Sequence, residues 1–244
     1  MKNYNKLFIF SVLSFSLFVA CNKEITEIGS DWTELIPNQL DTNAGNWKPI
    51  TLAVVTDVQI PAPDASNSVA YQAELQKVKT TIANLTADQK AAIQYWSAGG
   101  TLRWNQIMRG LVAKYNLAPQ DKVDGTYPVP DQTNPFAYPT FPFANPPYAA
   151  RAYAYVTVGQ YDALVAAYKL KSQYKRSTPY KNDATIQPLI AKADVYAYPS
   201  EDAALATVSV ELLKFLFPTE VAFLNQKANE HRWYKFWAGA ATES

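Results

Sequence analysis

Two long apolar segments rich in alanine lie between Pro146 and Pro218, and they leave few options for the fold. The first runs from about Pro147 to Tyr174 and is apolar almost all round; the second runs from Ser200 to Phe217. A helix that is apolar all round must be buried in a larger structure. Glycine is scarce (8) and proline frequent (16), which suits helices joined by stiff loops. We therefore predict an all-α helical bundle with these two helices at its centre.

Polar residues inside the first segment argue against a membrane span. The segment contains Arg151, Gln160 and Asp162. In a bilayer Asp162 would lie near the middle of the span, at a considerable cost in free energy. We therefore predict a helix buried within the protein, with Arg151 and Asp162 paired to other groups in the core.

The composition sets the class of protein and excludes some partners. Apolar residues make up 48% of the 244 residues and charged residues 18%, so the chain can bury a sizeable core. It has 22 basic and 21 acidic residues, which gives a formal net charge of +1. This balance gives no reason to expect nucleic acid or an acidic membrane surface as a partner.

The N-terminus has the layout of a bacterial lipoprotein signal. The basic start MKNYNK precedes LFIFSVLSFSLFVA, an apolar run shorter than the roughly 20 residues of a membrane span. Cys21 follows at once and is the only cysteine, so no internal disulfide can form. We predict a signal peptide over 1–20 and a lipid anchor at Cys21, which places the protein in the cell envelope, in the outer membrane facing the periplasm. An ordinary cleaved signal with a nearby cysteine is the alternative.

The rest of the chain divides into an arm and a helical domain. Residues 21–65 contain scattered prolines, and we predict a lipid-anchored tether and an arm that lies on the domain. ITLAVV, at 50–55, could form a short strand. Residues 66–244 are predicted to be helical, and the chain is expected to be truncated at its C-terminus. Four further helices are predicted. The first runs from about Ser66 to Leu85. The second begins at the capping box Thr86-Ala87-Asp88-Gln89, continues through Trp96 and ends at Gly99-Gly100; the third runs from Leu102 to Tyr115, and the last from Thr219-Glu220 through Trp237.

Residues 117–147 are predicted to be a long loop. Half of the prolines lie between Pro119 and Pro147, with aromatic residues among them. Loops of this length are often functional or disordered. So many aromatic residues argue against disorder. We predict an ordered excursion that packs over the helices or lines a pocket; a proline-rich peptide for another domain is the alternative.

Three stretches resemble a known superfamily in their order and spacing. They are YWSAGGTLRWNQI, AARAYAYVTVGQYDALVAAYKLKSQYKRSTP and YPSEDAALATVSVELLKFLFP. They are similar to the type 2 phosphatidic acid phosphatase and vanadium-dependent haloperoxidase superfamily, and most similar to its soluble, secreted bacterial members. The resemblance covers about residues 90–244. It implies an all-helical domain with a pocket for phosphate or vanadate.

The superfamily builds that pocket from three motifs. The first is a lysine followed, after six residues, by Arg-Pro. The second is Pro-Ser-Gly-His, and the third is Ser-Arg with a histidine after five more residues. The last histidine is the phosphatase nucleophile or the vanadium ligand, and the histidine after Pro-Ser-Gly is the acid–base partner. By resemblance the anion-binding residues are Lys171, Arg176, Ser200 and Lys235.

The chain departs from these motifs at the positions that carry the chemistry. Thr178 replaces the arginine, and Asp202 stands where the second motif has histidine. Ala241 stands where the nucleophile belongs; a second register places Ala238 there. Asp202 is the candidate for the acid–base role, but it would need a strongly raised pKa to act as an acid. The chain has one histidine, His231, whereas the superfamily mechanism needs two.

Each of these residues also has a structural interpretation. Lys171 and Arg176 could form a solvated helix end, and Ser200 is predicted to be an N-cap with Asp202 as a first-turn acid. His231 lies between Glu230 and Arg232, and we predict that it is at the surface.

Two functions from different classes follow. The first is an envelope lipoprotein that hydrolyses phosphomonoesters, with a small phosphorylated substrate or anion as its partner. The second is a catalytically inactive helical module that holds a small anion or a protein. No metal-ligand spacing is present. Vanadate or phosphate is implied by the resemblance alone, and haloperoxidase chemistry is less favoured because a ligand histidine is missing.

Overall fold

A computed structural model describes residues 33–36, 40–55, 58–115 and 146–243. The signal peptide, Cys21 and nearly all of the 117–147 loop lie outside these residues, so those predictions stay predictions.

The described residues are helical and include no strand, which confirms the all-α prediction. The segment ITLAVV, at 50–55, forms no strand. Short 3-10 turns lie at Ala44–Asn46 and Pro218–Glu220. The α-helices are α1 (Val69–Ala83), α2 (Ala87–Trp96), α3 (Gly100–Lys114), α4 (Pro146–Tyr174), α5 (Pro179–Asn182), α6 (Glu201–Leu216) and α7 (Val221–Trp237).

Side chains that cap the helices explain where several of them begin. Thr86 and Gln89 form the predicted capping box at the start of α2. Ser200 is the N-cap of α6, and its Oγ accepts a hydrogen bond of 3.1 Å from the backbone N–H of Ala203. Ser68 caps α1 in the same way, so this helix begins three residues later than predicted. α4 begins at Pro146, one residue before its predicted start at Pro147.

The two central helices pack as predicted, although α4 is not buried all round. α6 packs against both α4 and α7. The interface uses small and branched residues such as Val156, Ala206 and Val210, which are 0–1% exposed. The outer side of the first half of α4 lies at the surface, where Tyr155 is 48% exposed. The expectation of all-round burial was therefore wrong for this half.

The N-terminal arm lies along α4 and is held there by Asp162. The Asp162 carboxylate accepts hydrogen bonds from the backbone N–H groups of Ile50, Thr51 and Leu52, at 2.7 to 3.0 Å. The Thr51 hydroxyl donates a further bond of 2.5 Å. Asp162 is therefore paired, but its partner is the backbone of the arm and not another group of the helical core. Among the described residues, no helix is long and apolar enough to cross a membrane.

Candidate functional site

Four charged side chains form a continuous row where α4, α6 and α7 meet. The Nζ of Lys171 lies 2.7 Å from Glu201 Oε2, and the Nζ of Lys235 lies 2.6 Å from Glu201 Oε1. Lys235 also reaches Asp202 Oδ2 at 2.5 Å. Positive and negative groups alternate along this charge row, so each ammonium is paired with a carboxylate from the chain itself.

Helix geometry brings the members of the charge row together. Glu201 and Asp202 are the first two residues of α6, directly after the Ser200 N-cap. Lys171 lies in the last turn of α4 and also donates to the backbone oxygen of Tyr196. On α7, residues 231 and 235 are four apart and share one helix face. Lys235 and His231 therefore both reach Asp202.

His231 extends the charge row into the core. Its Nε2 lies 3.0 Å from Asp202 Oδ1, and its Nδ1 lies 2.9 Å from the indole Nε1 of Trp104. An indole N–H can only donate, so Nδ1 must be the acceptor and carries no proton. Nε2 then carries the proton and donates it to Asp202. The ring is therefore neutral, and both of its nitrogens are engaged.

The prediction that His231 lies at the surface was wrong. The ring is 0% exposed and stacks on Trp96, with ring centroids 4.2 Å apart and an interplanar angle of 17°. Leu224 and Ala228, seven and three residues earlier on α7, are buried on the same stripe. This spacing was visible in the sequence and outweighs the polar neighbours on either side of the histidine.

The carboxyl groups of the charge row stay ionised. Burial would raise the pKa of Glu201, but the ammonium groups of Lys171 and Lys235 lower it below its ordinary value. Burial would likewise raise the pKa of Asp202, and Lys235 with the hydrogen bond from His231 lowers it instead. The two carboxylates raise the pKa of Lys235 although burial opposes this. To act as a general acid, Asp202 would need a raised pKa, whereas its pKa is lowered.

Three members of the charge row lie in the wall of a cavity of about 1020 Å³. Glu201, Asp202 and Lys235 line it together with Tyr168 and the first turn of α3. Across the whole lining, the carboxylates of residues 34, 194, 201 and 202 outnumber the ammonium groups of residues 192 and 235. Lys171 and Lys181, which lie outside the lining, pair with Glu201 and Asp194, so the positive and negative charges in and around the cavity balance.

Two of the predicted anion-binding residues lie apart from this row. The Arg176 guanidinium is buried and lies over the Tyr71 ring, 4.2 Å from its centroid. Its two terminal nitrogens have no hydrogen-bond partner in the described part of the chain. Ser200 lines a second cavity of about 860 Å³, between α6 and α7, with Trp233 among its walls. The structure thus groups Lys171, Lys235 and Asp202, and separates Arg176 and the Ser200 hydroxyl from them.

Two residues of the site were not predicted to belong to it. Glu201 was given no role in the site, yet it contacts both lysines. Trp104 was likewise given none, yet it fixes the tautomer of a histidine 127 positions away. The charge of Glu201 at a helix start could have drawn attention to it, whereas nothing in the sequence links Trp104 to His231.

Vanadate does not fit the residues described here. It would need a histidine nitrogen to bind vanadium and free cations around its oxygens. Both nitrogens of His231 are engaged, and Lys171 and Lys235 are paired with carboxylates. Within the described ranges, no group of three or more histidine, cysteine, aspartate or glutamate side chains could hold a metal ion.

Comparisons with known proteins support the fold and go no further. No protein family model matches the chain, and no curated protein matches it significantly. A search of solved structures finds a bacterial vanadium-dependent iodoperoxidase, with a TM-score of 0.59 and 15% sequence identity. The match covers 90% of this chain and 57% of the iodoperoxidase. The helical domain is therefore haloperoxidase-like in fold, and the chain spans little more than half the length of that structure.

Proposed function

We propose that this chain is an envelope lipoprotein whose haloperoxidase-like domain binds a ligand without turning it over. The ligand pocket is the cavity beside Glu201, Asp202 and Lys235. The observation that carries the proposal is the position of His231, which is buried and neutral and has both ring nitrogens engaged by Trp104 and Asp202.

Phosphoryl transfer of the superfamily type would need groups that this site holds in other roles. A histidine nucleophile needs a free nitrogen lone pair, and the transferred phosphoryl group needs cations that can contact its oxygens. The only lone pair on His231 accepts a bond from Trp104. A phosphate at Lys171 and Lys235 would have to displace Glu201 and would lie beside the ionised Asp202. Binding without turnover is therefore the better match to this chemistry.

Phosphomonoester hydrolysis by a member of the phosphatase branch is the second candidate, and one observation favours it. Lys171 and Lys235 converge from two helices on the first residue of α6. Converging cations at the positive end of a helix are what an anionic substrate requires. If Glu201 moved aside, the two lysines could contact a phosphate ester.

Hydrolysis of p-nitrophenyl phosphate by the full-length chain in detergent separates the two candidates. We expect no turnover by the wild-type protein. Variants Lys171→Ala and Lys235→Ala are compared with Lys214→Ala, a surface lysine on α6 paired with Glu211. Hydrolysis that the first two substitutions abolish and the third leaves intact would overturn the proposal and establish the hydrolase.

The lipid anchor is tested separately. We expect cells expressing the chain to incorporate a fatty-acid analogue into it through Cys21, because this cysteine directly follows a signal-like segment. Labelling should vanish in Cys21→Ala. Label retained by that variant would rule out lipidation at this residue and leave the binding proposal unaffected.

A further inference from the structure

Glu201 occupies the position between two converging lysines that a bound anion would take. One carboxylate oxygen contacts Lys171 Nζ at 2.7 Å, and the other contacts Lys235 Nζ at 2.6 Å. The Lys171 side chain is 4% exposed and that of Glu201 is 15% exposed. Charge-assisted contacts of this length are among the strongest polar interactions in proteins. The arrangement is that of an oxyanion held by two cations, with the anion supplied by the chain.

We infer that Glu201 is an internal counter-ion that fills a site for a small oxyanion and keeps such anions out. The inference rests on the proposed function in placing the ligand site at this pocket. It adds that the intact protein does not take a phosphate or carboxylate ligand between Lys171 and Lys235. Loss of the Glu201 carboxylate opens that position to one.

Glu201 has this role rather than Asp202 because of their different partners. Asp202 also accepts the hydrogen bond from His231, and it contacts only one of the two lysines. Glu201 alone bridges both. Without it Lys235 keeps Asp202 as a partner, whereas the partner that Lys171 keeps among the described residues is the backbone oxygen of Tyr196. Lys171 would then be a buried cation without a counter-charge, which a free anion can supply.

The surrounding space allows an anion to enter. Glu201 lines the cavity of about 1020 Å³, so the position it leaves would open directly into that cavity. Replacement by alanine removes a CH₂–COO⁻ unit, which has the size of acetate. Phosphate is larger and can extend into the cavity. Acetate and phosphate therefore probe the same site with different demands on space.

The experiment measures thermal denaturation and anion affinity of the full-length chain in detergent. Wild type, Glu201→Ala and Glu201→Gln are titrated with phosphate and with acetate, against chloride at matched ionic strength. We expect the wild-type melting temperature to be unaffected by either anion beyond the chloride control. Glu201→Ala should melt at a lower temperature and recover with added anion. Its affinity for at least one of the two should exceed that of wild type by about tenfold or more, since a hydrogen bond to a charged group contributes at least this much.

Matched variants locate the binding. Glu211→Gln alters an exposed glutamate on the same helix, paired with Lys214, and should behave as wild type. Lys171→Ala, added to Glu201→Ala, should abolish the gain in anion affinity. Glu201→Gln loses the charge but keeps a side chain between the two lysines, so its gain in anion affinity should be smaller than that of Glu201→Ala. Glu201→Ser also vacates the position and serves as the test if the alanine variant does not fold.

Two results would overturn the inference. One is a wild-type protein whose melting temperature rises with phosphate or acetate beyond the chloride control. The other is a folded Glu201→Ala or Glu201→Ser variant that gains no affinity for either anion. The wild-type measurement stands even if both variants fail to fold. Anion affinity is measured without turnover, so p-nitrophenyl phosphate hydrolysis by wild type would overturn the proposed function separately.

Discussion

Gly100 shows how closely the first turn of α3 approaches the His231 ring. A Cβ added to Gly100 would lie 2.4 Å from His231 Nε2, 2.5 Å from its Cε1 and 2.9 Å from Leu205 Cδ2. The ring is fixed by its two hydrogen bonds and cannot move aside without losing one. We expect Gly100→Ala to lower the free energy of unfolding by about 1–3 kcal/mol, as overpacking of a filled core does. Urea denaturation followed by tryptophan fluorescence measures this change.

Gly110 on the same helix is the matched control. A Cβ at this position would meet no atom of the described residues within 4 Å. Alanine in an open helical position is expected to stabilise by about 0.5–1 kcal/mol relative to glycine. The two substitutions should therefore change stability in opposite directions. A loss of similar size in both variants would show that contact with His231 is not the cause.

The site residues divide into those that local spacing could find and those that depend on the tertiary fold. Lys171, Asp202 and Lys235 were selected by motif spacing, and the structure places them within one charge row. The burial of His231 could have been inferred from the stripe of α7 on which it lies. Its bond to Trp104 joins positions far apart in sequence, and only the packing of α3 against α7 creates it.

Among the elements, the starts of α2 and α6 were predicted well because a side chain caps each of them, whereas the cap at Ser68 was not recognised and the start of α1 was placed too early. Ser200 and Thr86 satisfy backbone N–H groups locally, so the signal lies within a few residues. The short helix α5 was not predicted, because four residues are too few to show a helical hydrophobic periodicity. The exposed side of α4 was missed for another reason. Alanine and tyrosine are tolerated at a surface, so their presence does not decide burial.

The contact between the arm and α4 is expected to depend on pH through Asp162. Burial would raise the pKa of Asp162, but the hydrogen bonds from Thr51, Ile50 and Leu52 lower it from 3.8 to about 2. A lowered folded-state pKa stabilises the protein above the unfolded-state value and is lost as pH falls through the folded-state value. The contribution is therefore complete at pH 7 and disappears between about pH 4 and pH 2.

We expect Asp162→Asn to cost up to about 2.5 kcal/mol at pH 7, since the pKa is lowered from 3.8 to about 2 and one unit corresponds to about 1.4 kcal/mol. The difference from wild type should shrink as pH is lowered from about 4 towards 2. Urea denaturation at several pH values measures it. Asp194→Asn is the control, because that side chain is 92% exposed and exposed ion pairs contribute little. A difference between wild type and Asp162→Asn that is constant with pH would contradict this role.

At the scale of the whole molecule, the arm is an integral part of the folded unit. Residues Thr33–Ser244 form one compact unit. Besides the bonds to Asp162, Tyr174 donates to the backbone oxygen of Ile60 at 2.9 Å, and Tyr198 donates to that of Pro61 at 2.7 Å. The 3-10 turn also lies directly on α4, since a Cβ on Gly45 would be 2.4 Å from the backbone nitrogen of Lys169. These contacts run along much of α4.

We therefore expect a fragment of residues 66–244 to be much less stable than one of residues 33–244. Removing the arm takes away the hydrogen-bond donors of Asp162 and leaves its carboxylate to water, so the stabilisation that these bonds provide is lost. Asp162→Asn should therefore destabilise the longer fragment and change the stability of the shorter one little. Thermal denaturation of the two fragments, each with and without the substitution, tests this difference. If the substitution has the same effect in both fragments, the arm is not the partner that keeps Asp162 ionised in the fold.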